Sequence, residues 1–424
     1  MLLLYSLALF LILVVGSPWW LFRMATSGKY REGLTERLGR VPRRIRGGLD
    51  EKPVVWIHAV SVGEVLAASR LIEKLTCRGK ESSKPWHVVI STTTRTGQKL
   101  ARERFGAERV FYFPLDFGFA VRSWLRLLRP RLLILLETEF WPRVLVECRR
   151  AGIPVAVVNA RISDRSWPRY CDFSFIWGRL LSSLSLVLAK SEIDAGRLRS
   201  LGAPNVQVTG NLKYDIRAAR PAAATSMLRE HLAPGAAVLV CGSTLAGEED
   251  LLVDALPPWV ITILAPRHPE RFAEVSDLLR RRTALWVRRS EWMSAPALIQ
   301  PGTVFLLDSI GELASVYSLA TAAFVGGSLV PAGGHNPLEP AQFGVPVLMG
   351  PHYENFRDIV EALRKKEAIR IVTPDQLEPA LAEVLSGSPE VRTQGIRGRE
   401  VFEAEAGATD RAVQALTQLL ERRR

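Results

Sequence analysis

Cysteine and histidine are scarce in this sequence of 424 residues, which contains four of the first and six of the second. The cysteines lie far apart and form no short paired spacing, at Cys77, Cys148, Cys171 and Cys241. This distribution disfavours a zinc site and a disulfide framework, so a reducing compartment is the simplest setting. The sequence also has no Walker motif, no G-x-G-x-x-G after its first predicted strand and no H-E-x-x-H. An NTPase, a dinucleotide enzyme and a metalloprotease of those types are therefore disfavoured.

Acidic residues are too few to balance the basic ones, with 43 Asp and Glu against 56 Lys and Arg and a net charge of +13. A charge of this size predicts a negative partner, which could be nucleic acid, anionic lipid headgroups, or phosphorylated and carboxylated small molecules. The charge alone does not choose among them.

Charged side chains are absent from residues 1–22. At about 1.5 Å per residue, a helix of this length spans a hydrocarbon core of roughly 30 Å, which predicts a single membrane anchor. The alternatives are a cleaved signal peptide, which would need a basic start and an A-x-A-like site, and an interfacial helix, which Pro18 would allow. Residues 23–46 hold eight Lys and Arg against two Glu. The positive-inside rule therefore predicts that the rest of the chain stays on the cytoplasmic side, against anionic headgroups.

Fourteen apolar runs separated by helical patterns are predicted to be strands of parallel sheets, because they are apolar throughout rather than alternating. In the first half they are Val54–Val60, Val88–Thr92, Arg109–Phe113, Leu132–Leu136, Val155–Asn159, Leu186–Ala189 and Val206–Thr209. In the second half they are Ala237–Cys241, Val260–Leu264, Leu285–Arg288, Val304–Leu307, Ala322–Val325, Val345–Leu348 and Ile369–Val372. Two such halves predict an α/β fold of two Rossmann-like domains that face each other across a cleft.

The predicted organisation has six parts. They are the anchor over 1–22, a basic juxtamembrane connector over 23–50, an N-terminal Rossmann-like domain over 51–212, a linker over 213–234, a C-terminal Rossmann-like domain over 235–400 and a C-terminal helix over 401–424. Part of the helical tail could return to the first domain.

Carboxylates follow two of the apolar strands in the first half. Glu64 ends the segment HAVSVGE after the first strand, and ligands of open parallel sheets bind at the carboxyl ends of strands. There it is either a general base or part of a Ser-x-x-Glu capping box with Ser61. Glu137 begins the segment ETEFWP after another buried strand, and an acidic pair at a strand end is a costly choice for packing alone. Phe140 and Trp141 of the same segment are predicted to pack in the core.

Three further segments place a basic residue or a glycine near a strand end. In GNLKYD, Lys213 is either a ligand of a phosphate or carboxylate or an ordinary solvated lysine. In APRHPE, Arg267 is suited to bidentate phosphate binding and Pro266 fixes the backbone. In DSIGEL, Gly311 permits a close turn, and a helix start at Glu312 would expose backbone N–H groups to an anion.

The most specific signal is the segment FVGGSLVPAGGHNPLEP over residues 324–340. Its paired glycines permit close backbone approach, and Asn336 and Pro337 are expected to start a helix whose N-terminus favours a phosphate. Glu339 either completes this capping arrangement or holds the ribose hydroxyls of a nucleotide sugar, as in many nucleotide-sugar transferases.

The segments HAVSVGE, ETEFWP, VNARISDRS, GNLKYD, APRHPERF, GGSLVPAGGHNPLEP and VPVLMGP follow one another in the order seen in one family. From its first residues to about Asn355, the chain resembles 3-deoxy-D-manno-octulosonic acid (Kdo) transferases. The resemblance implies an inverting GT-B glycosyltransferase at the cell inner membrane, which moves Kdo from CMP-Kdo to a lipid A precursor in lipopolysaccharide biosynthesis.

The resemblance also implies roles for individual residues. Glu64 would be the general base, and Glu137 and Lys213 would stabilise the transition state. The residues that would bind CMP are Pro266, Arg267, Ile310, Gly311, Glu312, Asn336, Pro337, Leu338 and Glu339. The N-terminal domain would then bind the acceptor and the C-terminal domain the nucleotide sugar. This scheme requires no metal or other cofactor, and the lack of an obvious DxD motif fits a fold that neutralises the leaving phosphate with helix dipoles and cationic side chains.

Both substrates would be anionic, so a basic cleft above an anionic membrane explains the net charge without nucleic acid. A GT-B-type sugar epimerase or a heptose transferase is a second enzyme interpretation, against which the apolar N-terminal segment and ETEFWP count. A membrane-tethered module that binds an anionic polymer is a non-enzyme interpretation. It predicts basic residues interleaved with exposed aromatic residues in one patch, whereas the charge here is spread along the chain.

Overall fold

The computed structural model describes residues 2–27, 31–47, 49, 52–82, 85–215, 223–283 and 285–422, with the side chains of 2–4, 20–27 and 223–224 left aside. The chain divides into two compact units. The N-terminal unit is Met1–Ile216 with Ala406–Arg424, and the C-terminal unit is Arg217–Glu405. The six predicted segment boundaries stay a prediction.

The N-terminal unit is built on one parallel sheet. Its strands, within the described ranges, are β1 Val54–His58, β2 His87–Thr92, β3 Val110–Tyr112, β4 Pro130–Leu136, β5 Val155–Ala160, β6 Leu186–Ala189 and β7 Val206–Val208. They are hydrogen-bonded in the order β3-β2-β1-β4-β5-β6-β7, and all neighbours are parallel. Each apolar run of the first half forms a strand, so this part of the prediction is confirmed. Both faces of the sheet are buried, as parallel strands without alternation require.

The N-terminal unit also contains helices. They are α1 Leu2–Ser27, α2 Leu34–Arg37, α3 Arg43–Gly47, α4 Val62–Glu81, α5 Arg95–Phe105, α6 Gly118–Leu128, α7 Pro142–Arg150, α8 Trp167–Asp172, α9 Ser174–Leu181 and α10 Glu192–Ser200. Helices α6, α7, α9 and α10 contribute to the core on one face, whereas α4 packs against the other.

The predicted membrane anchor over residues 1–22 is not supported. Helix α1 covers this segment, but in the part of the chain that is described no helix combines the length and the apolar character that a bilayer crossing requires. The prediction of a single-pass membrane anchor is therefore wrong.

The basic stretch that follows α1 is partly used inside the fold. The guanidinium of Arg37 donates to the carbonyl oxygen of Thr93. Arg44 donates to the Glu36 carboxylate at 2.6 Å and to the carbonyl oxygen of Ala107 at 3.1 Å. At least these two arginines therefore hold the connector against the N-terminal unit, and contact of this stretch with anionic headgroups stays a prediction.

The C-terminal unit repeats the architecture. Its strands, as far as the structure describes it, are β8 Val238–Thr244, β9 Ile261–Pro266, β10 Trp286–Arg288, β11 Val304–Leu306, β12 Ala322–Val325, β13 Val347–Met349 and β14 Ile369–Ile371. They form a parallel sheet in the order β10-β11-β9-β8-β12-β13-β14. All the apolar runs of the second half form strands, and the predicted α/β class is confirmed for both units.

This unit also contains helices. They are α11 Ala223–His231, α12 Glu248–Asp254, α13 Phe272–Arg282, α14 Arg289–Trp292, α15 Leu313–Val316, α16 Leu338–Ala341, α17 Arg357–Lys365, α18 Leu377–Leu385 and α19 Pro389–Glu405. Helix α11 lies within residues 213–234, the predicted linker. The chain packs a helix there because Leu228 is fully buried in the core of the unit.

The last helix, α20 Ala408–Arg422, belongs to the N-terminal unit. Residues 401–424, predicted as one helix, are thus divided between α19 and α20, with Gly407 between them at φ 89°. Ala412, Val413, Leu416 and Leu420 of α20 are buried in the same core as α4. The chain therefore returns to its first unit at its end.

Candidate active site

The carboxyl edge of the N-terminal sheet brings several of the sequence motifs together. β1 and β4 are parallel neighbours, with His58 opposite Leu135, so HAVSVGE and ETEFWP leave the sheet side by side. The backbone N–H of Glu137 donates to the carbonyl oxygen of Val158 at 2.9 Å, which joins ETEFWP to VNARISDRS on β5. Three motifs that are distant in sequence therefore meet at one edge.

Glu64 lies in the first turn of α4, where Ser61 is the N-cap residue. Its carboxylate accepts from the backbone N–H of Val60 at 2.8 Å and from the Ser61 hydroxyl at 3.1 Å. The Ser61 oxygen in turn accepts from the Glu64 N–H at 3.5 Å. The capping arrangement considered as the alternative is thus present, and it fixes the position of the carboxylate without neutralising it.

Burial, aided by the negative charges of Glu137 and Glu139, raises the pKa of Glu64 to about 7 against the opposing hydrogen bonds from Val60 and Ser61. Burial and the Glu137 charge also raise the pKa of Glu139. A carboxyl group with a pKa near 7 exchanges protons readily at neutral pH, which is the property a general base requires.

The backbone at Glu137 is held in the left-handed region, at φ 54°. Asn159 on β5 has φ 58°, and its side-chain oxygen accepts from the N–H of Leu212 at 3.2 Å. Non-glycine residues in this region cost on the order of 1–3 kcal/mol each and concentrate at functional sites. Among the described residues the Glu137 carboxylate has no hydrogen-bond partner. Phe140 is buried in the core with Trp141 packed against it, as predicted.

His58 lies fully buried at the end of β1, stacked on Phe113 with ring centroids 3.7 Å apart. Its Nδ1 lies 3.0 Å from the Ser91 hydroxyl, whereas its Nε2 has no hydrogen-bond partner in the described chain. Burial lowers the pKa of His58 to about 3. The imidazole is therefore neutral and forms part of the floor beneath the loop that holds Glu64.

The segment GNLKYD has a structural part as well as a candidate catalytic one. Lys213 lies half-buried in the 3-10 helix Leu212–Asp215. Asp215, which the sequence analysis did not single out, is buried and accepts from the backbone N–H groups of Gly407, at 2.6 Å, and Thr409. This aspartate therefore caps the start of α20, a contact that joins positions too distant for any sequence spacing to reveal.

In the C-terminal unit the glycine-rich loop after β12 is organised by a glutamate that sequence reasoning missed. The Glu248 carboxylate, fully buried, accepts from the backbone N–H of Gly327 at 2.7 Å and from those of Ser328 and Leu329 at 2.8 Å. It also accepts from Leu245 N–H at 2.9 Å. Its signal in the sequence is an acidic residue after the apolar strand β8. These amides are therefore occupied by an internal anion and do not serve a phosphate.

Tight packing explains the glycines of this loop. A Cβ at Gly326 would lie 2.6 Å from the carbonyl oxygen of Ser243. Ser243 itself has φ 58°. The loop and the end of β8 thus approach too closely for any side chain between them.

Arg267 and Glu339 come near each other at the carboxyl edge of this sheet. Arg267 is exposed, and its guanidinium makes no hydrogen bond or ion pair with the described residues. Burial raises the pKa of Glu339 to about 7, and the charge of Arg267 opposes that rise. The pKa of His335 is lowered to about 4 by burial and by the charges of Arg267 and His268. A cation and a carboxyl group without hydrogen-bond partners of their own are suited to a ligand.

The predicted helix start at Asn336 and Pro337 is one residue early. Helix α16 begins at Leu338 and has only four residues, so it provides little of the dipole that the sequence analysis assigned to it. The Asn336 side chain accepts from the Leu338 N–H at 3.2 Å, while the Glu339 carboxylate makes no hydrogen bond within the described part of the chain. Glu339 therefore does not complete a capping box.

The segment DSIGEL is held by ion pairs. Arg289 donates to Glu312 at 2.8 Å, and the Ser309 hydroxyl donates to the other oxygen of the same carboxylate. Ile310 is largely exposed and Gly311 has φ 89°. In the part of the molecule that the structure describes, no group of three or more His, Cys, Asp and Glu is arranged to hold a metal ion.

Comparisons with known proteins identify the family. A family model described as 3-deoxy-D-manno-octulosonic-acid transferase matches residues 32–216. The 3-deoxy-D-manno-octulosonic acid transferase of Haemophilus influenzae is 35% identical over 412 residues, which cover 93% of this chain and 93% of that protein. The chain belongs to the Kdo transferase family. The Bordetella pertussis Kdo transferase is 33% identical over 419 residues, 94% of each chain.

The fold of this Kdo transferase is shared more widely. The crystal structure of UDP-GlcNAc 2-epimerase from Neisseria meningitidis bound to UDP-GlcNAc matches with a TM-score of 0.56 at 12% identity, over 86% of this chain and 100% of that one. The two parallel-sheet units thus resemble those of GT-B glycosyltransferases. The fold alone does not separate a Kdo transferase from an epimerase, and the family match does.

Proposed function

We propose that this Kdo transferase takes Kdo from CMP-Kdo and attaches it to a lipid A precursor with inversion at the anomeric carbon, in lipopolysaccharide biosynthesis. The observation that supports the proposal most directly is Glu64. It is a carboxyl group with a pKa of about 7, held at the carboxyl edge of the N-terminal sheet by two hydrogen bonds.

In the proposed reaction Glu64 is the general base. A hydroxyl oxygen of the acceptor sugar attacks the anomeric carbon of Kdo, and its proton passes to Glu64 as the new C–O bond forms. The bond from the anomeric carbon to the phosphate oxygen breaks, and CMP leaves with the electron pair. A positioned base of this kind contributes roughly 10²–10⁴-fold to rate.

Glu137 and Lys213 are proposed to stabilise the transition state. A glycosyl centre that loses its leaving group develops positive charge, which an ionised Glu137 would attract. The Lys213 ammonium would offset negative charge on the donor carboxylate or on the departing phosphate. The unusual φ of Glu137 supports this role, because a strained backbone conformation costs free energy and such conformations cluster at functional sites.

The donor is proposed to bind the C-terminal unit. Arg267, whose guanidinium has no partner in the described residues, would bind the phosphate, with Pro266 fixing its backbone. The Glu339 carboxylate would accept hydrogen bonds from the ribose hydroxyls. These would be its donors, since it has none among the described residues. The remaining residues proposed to form the CMP site are Ile310, Gly311, Glu312, Asn336, Pro337 and Leu338.

The test is release of CMP from CMP-Kdo by purified protein with a lipid A precursor, comparing the native chain with Glu64→Gln and Glu64→Ala. Both variants should bind CMP normally and lose roughly 10²–10⁴-fold in turnover. Glu81→Gln, at the exposed end of the same helix α4, is the matched control and should retain native turnover.

Thermal unfolding of each variant separates chemistry from the cap. Glu64→Gln retains an oxygen that accepts from Val60, so it should fold like the native chain. Native turnover in both Glu64 variants would mean that Glu64 only caps helix α4 and is not the general base. If the native protein shows no turnover under conditions where a known Kdo transferase works, CMP-Kdo and the lipid A precursor are not its substrates.

A further inference from the structure

A basic cavity of about 600 Å³ lies at the opposite end of the N-terminal sheet from Glu64 and Glu137. Pro130, the first residue of β4, and Pro154, just before β5, form part of its wall. The ends of helices α6 and α7 contribute most of the remaining side chains. The cavity is therefore separate from the carboxyl edge proposed to bind substrates.

Arginine dominates the charged lining of this cavity. The charged residues are Arg122, Arg126, Arg129, Arg131, Arg150 and Glu147. Glu147 is 4% exposed and already pairs with Arg122 at 3.1 Å, with Arg143 at 3.1 Å and with Arg150 at 3.2 Å. One buried carboxylate thus orients several guanidinium groups and has little capacity to neutralise the rest.

Two arginines at the rim remain uncompensated. The side chains of Arg126 and Arg129 are exposed and make no hydrogen bond or ion pair with the described residues. The C-terminal ends of α6 and α7 each contribute only about half a negative charge. Two full positive charges therefore exceed the local negative charge, and the cavity attracts an anion.

Apolar side chains adjoin these arginines. A second cavity of about 490 Å³ shares Arg122 and Arg126 with the first and adds Arg46, Leu127 and Phe119. Phe119 is 56% exposed, and Leu125 and Ile153 line the first cavity. Guanidinium groups beside exposed apolar surface fit an amphiphile whose charged end is a phosphate, because guanidinium binds phosphate oxygens bidentately.

We propose that this cavity is a second anion site, which binds the phosphate monoester of a phosphorylated lipid through Arg126 and Arg129. It does not depend on the proposed general base or on the donor site, since none of the residues that line it belongs to either. The site would hold a lipid phosphate at the end of the N-terminal unit away from the proposed chemistry.

The test uses co-sedimentation of the full chain with vesicles of phosphatidylcholine containing one fifth phosphatidic acid, with pure phosphatidylcholine vesicles as the baseline. The double variant Arg126→Ala with Arg129→Ala should bind the phosphatidic acid vesicles at least about tenfold more weakly, given the contribution of each basic residue near an anionic surface. The control pairs Arg149→Ala with Arg281→Ala, two exposed arginines outside both cavities. It removes the same charge and should stay within about twofold of the native chain. Helix α1 is present in every variant, so its contribution cancels.

An equal loss of vesicle binding in the two double variants would contradict the proposed site, because binding would then follow net charge alone. No loss in either would overturn it as well. A soluble arm adds glycerol 3-phosphate and follows thermal unfolding. If this probe stabilises the native chain but not the cavity variant while all chains bind vesicles equally, the lipid source is wrong and the cavity binds free phosphate.

Discussion

Both units place a glutamate shortly after the first strand of their sheet, and each glutamate accepts a backbone N–H from the turn that precedes its helix. Val60 donates to Glu64 at 2.8 Å, and Leu245 donates to Glu248 at 2.9 Å. Their other neighbours differ. Glu64 is half-buried beside two more carboxylates, whereas Glu248 is fully buried among three further amides.

The difference teaches that the turn does not decide the chemistry of the carboxylate it holds. Neighbouring carboxylates and burial make Glu64 reluctant to ionise, which leaves it reactive near neutral pH. Four backbone amides donate to Glu248 and make it a fixed anchor for the glycine-rich loop. Four variants would test this contrast.

The largest effect is expected from Glu248→Ala. It leaves four backbone N–H groups without their acceptor, and each buried unsatisfied donor costs about 1–3 kcal/mol. The free energy of unfolding of the C-terminal unit should fall by about 4 kcal/mol in urea denaturation. Glu378→Ala, an exposed position on α18, is the control and should change little. A loss below about 1 kcal/mol for Glu248→Ala would mean that the loop holds itself without the anion.

The second test concerns pH and stability. The pKa of Glu64 is raised from its ordinary value near 4.5 to about 7, so the folded state keeps a proton that the unfolded state releases. This contribution to stability is fully present below pH 4.5 and is lost as the pH rises to about 7. It amounts to at most about 3 kcal/mol, because one pKa unit corresponds to 1.36 kcal/mol. The difference in unfolding free energy between the native chain and Glu64→Gln, followed from pH 4 to 8, should show this slope, and parallel curves would refute it.

The third test concerns a carboxylate that serves only as a cap. Asp215→Ala removes the acceptor for Gly407 and Thr409, and loss of such a cap costs about 1 kcal/mol. Hydrogen exchange should speed up at the first amides of α20 and stay unchanged in α4. Unchanged exchange in α20 would show that its buried apolar side chains alone keep it in place.

The smallest effect is expected from Glu137→Gln on the pH dependence of turnover. Removing one neighbouring charge should lower the pKa of Glu64 and move the rising limb, expected near pH 7 in the native chain, downward by roughly half a unit. The plateau should fall separately if Glu137 stabilises the transition state. A limb that stays in place would mean that the Glu137 charge does not contribute to the pKa of Glu64.

The strands were predictable because a parallel sheet buried on both faces requires continuous apolar runs, and such runs are visible in one sequence. The ends of the strands were less predictable. Strand β8 runs three residues past the predicted Cys241 to Thr244, through polar Ser243 and Thr244 that apolar pattern cannot detect. The candidate residues could also be predicted, because each follows an apolar strand. They are Glu64, Glu137, Arg267 and Glu339.

The roles of Glu248 and Asp215 could not be predicted, since their acceptor function depends on loops that approach them from 79 to 194 residues away in sequence. The anchor failed for a different reason. The absence of charged side chains is a composition rule, and among the described residues no helix meets the joint requirement of length and apolar character for a bilayer crossing.

The return of α20 to the N-terminal unit has a consequence for how the chain is made. Residues of the C-terminal unit leave the ribosome before α20, so that unit can fold while the protein is still being synthesised. The core shared by α4 and α20 cannot close until the final helix is released. The first unit to be translated is therefore the last to be completed, and for that interval the part of α4 that α20 covers is open to chaperones.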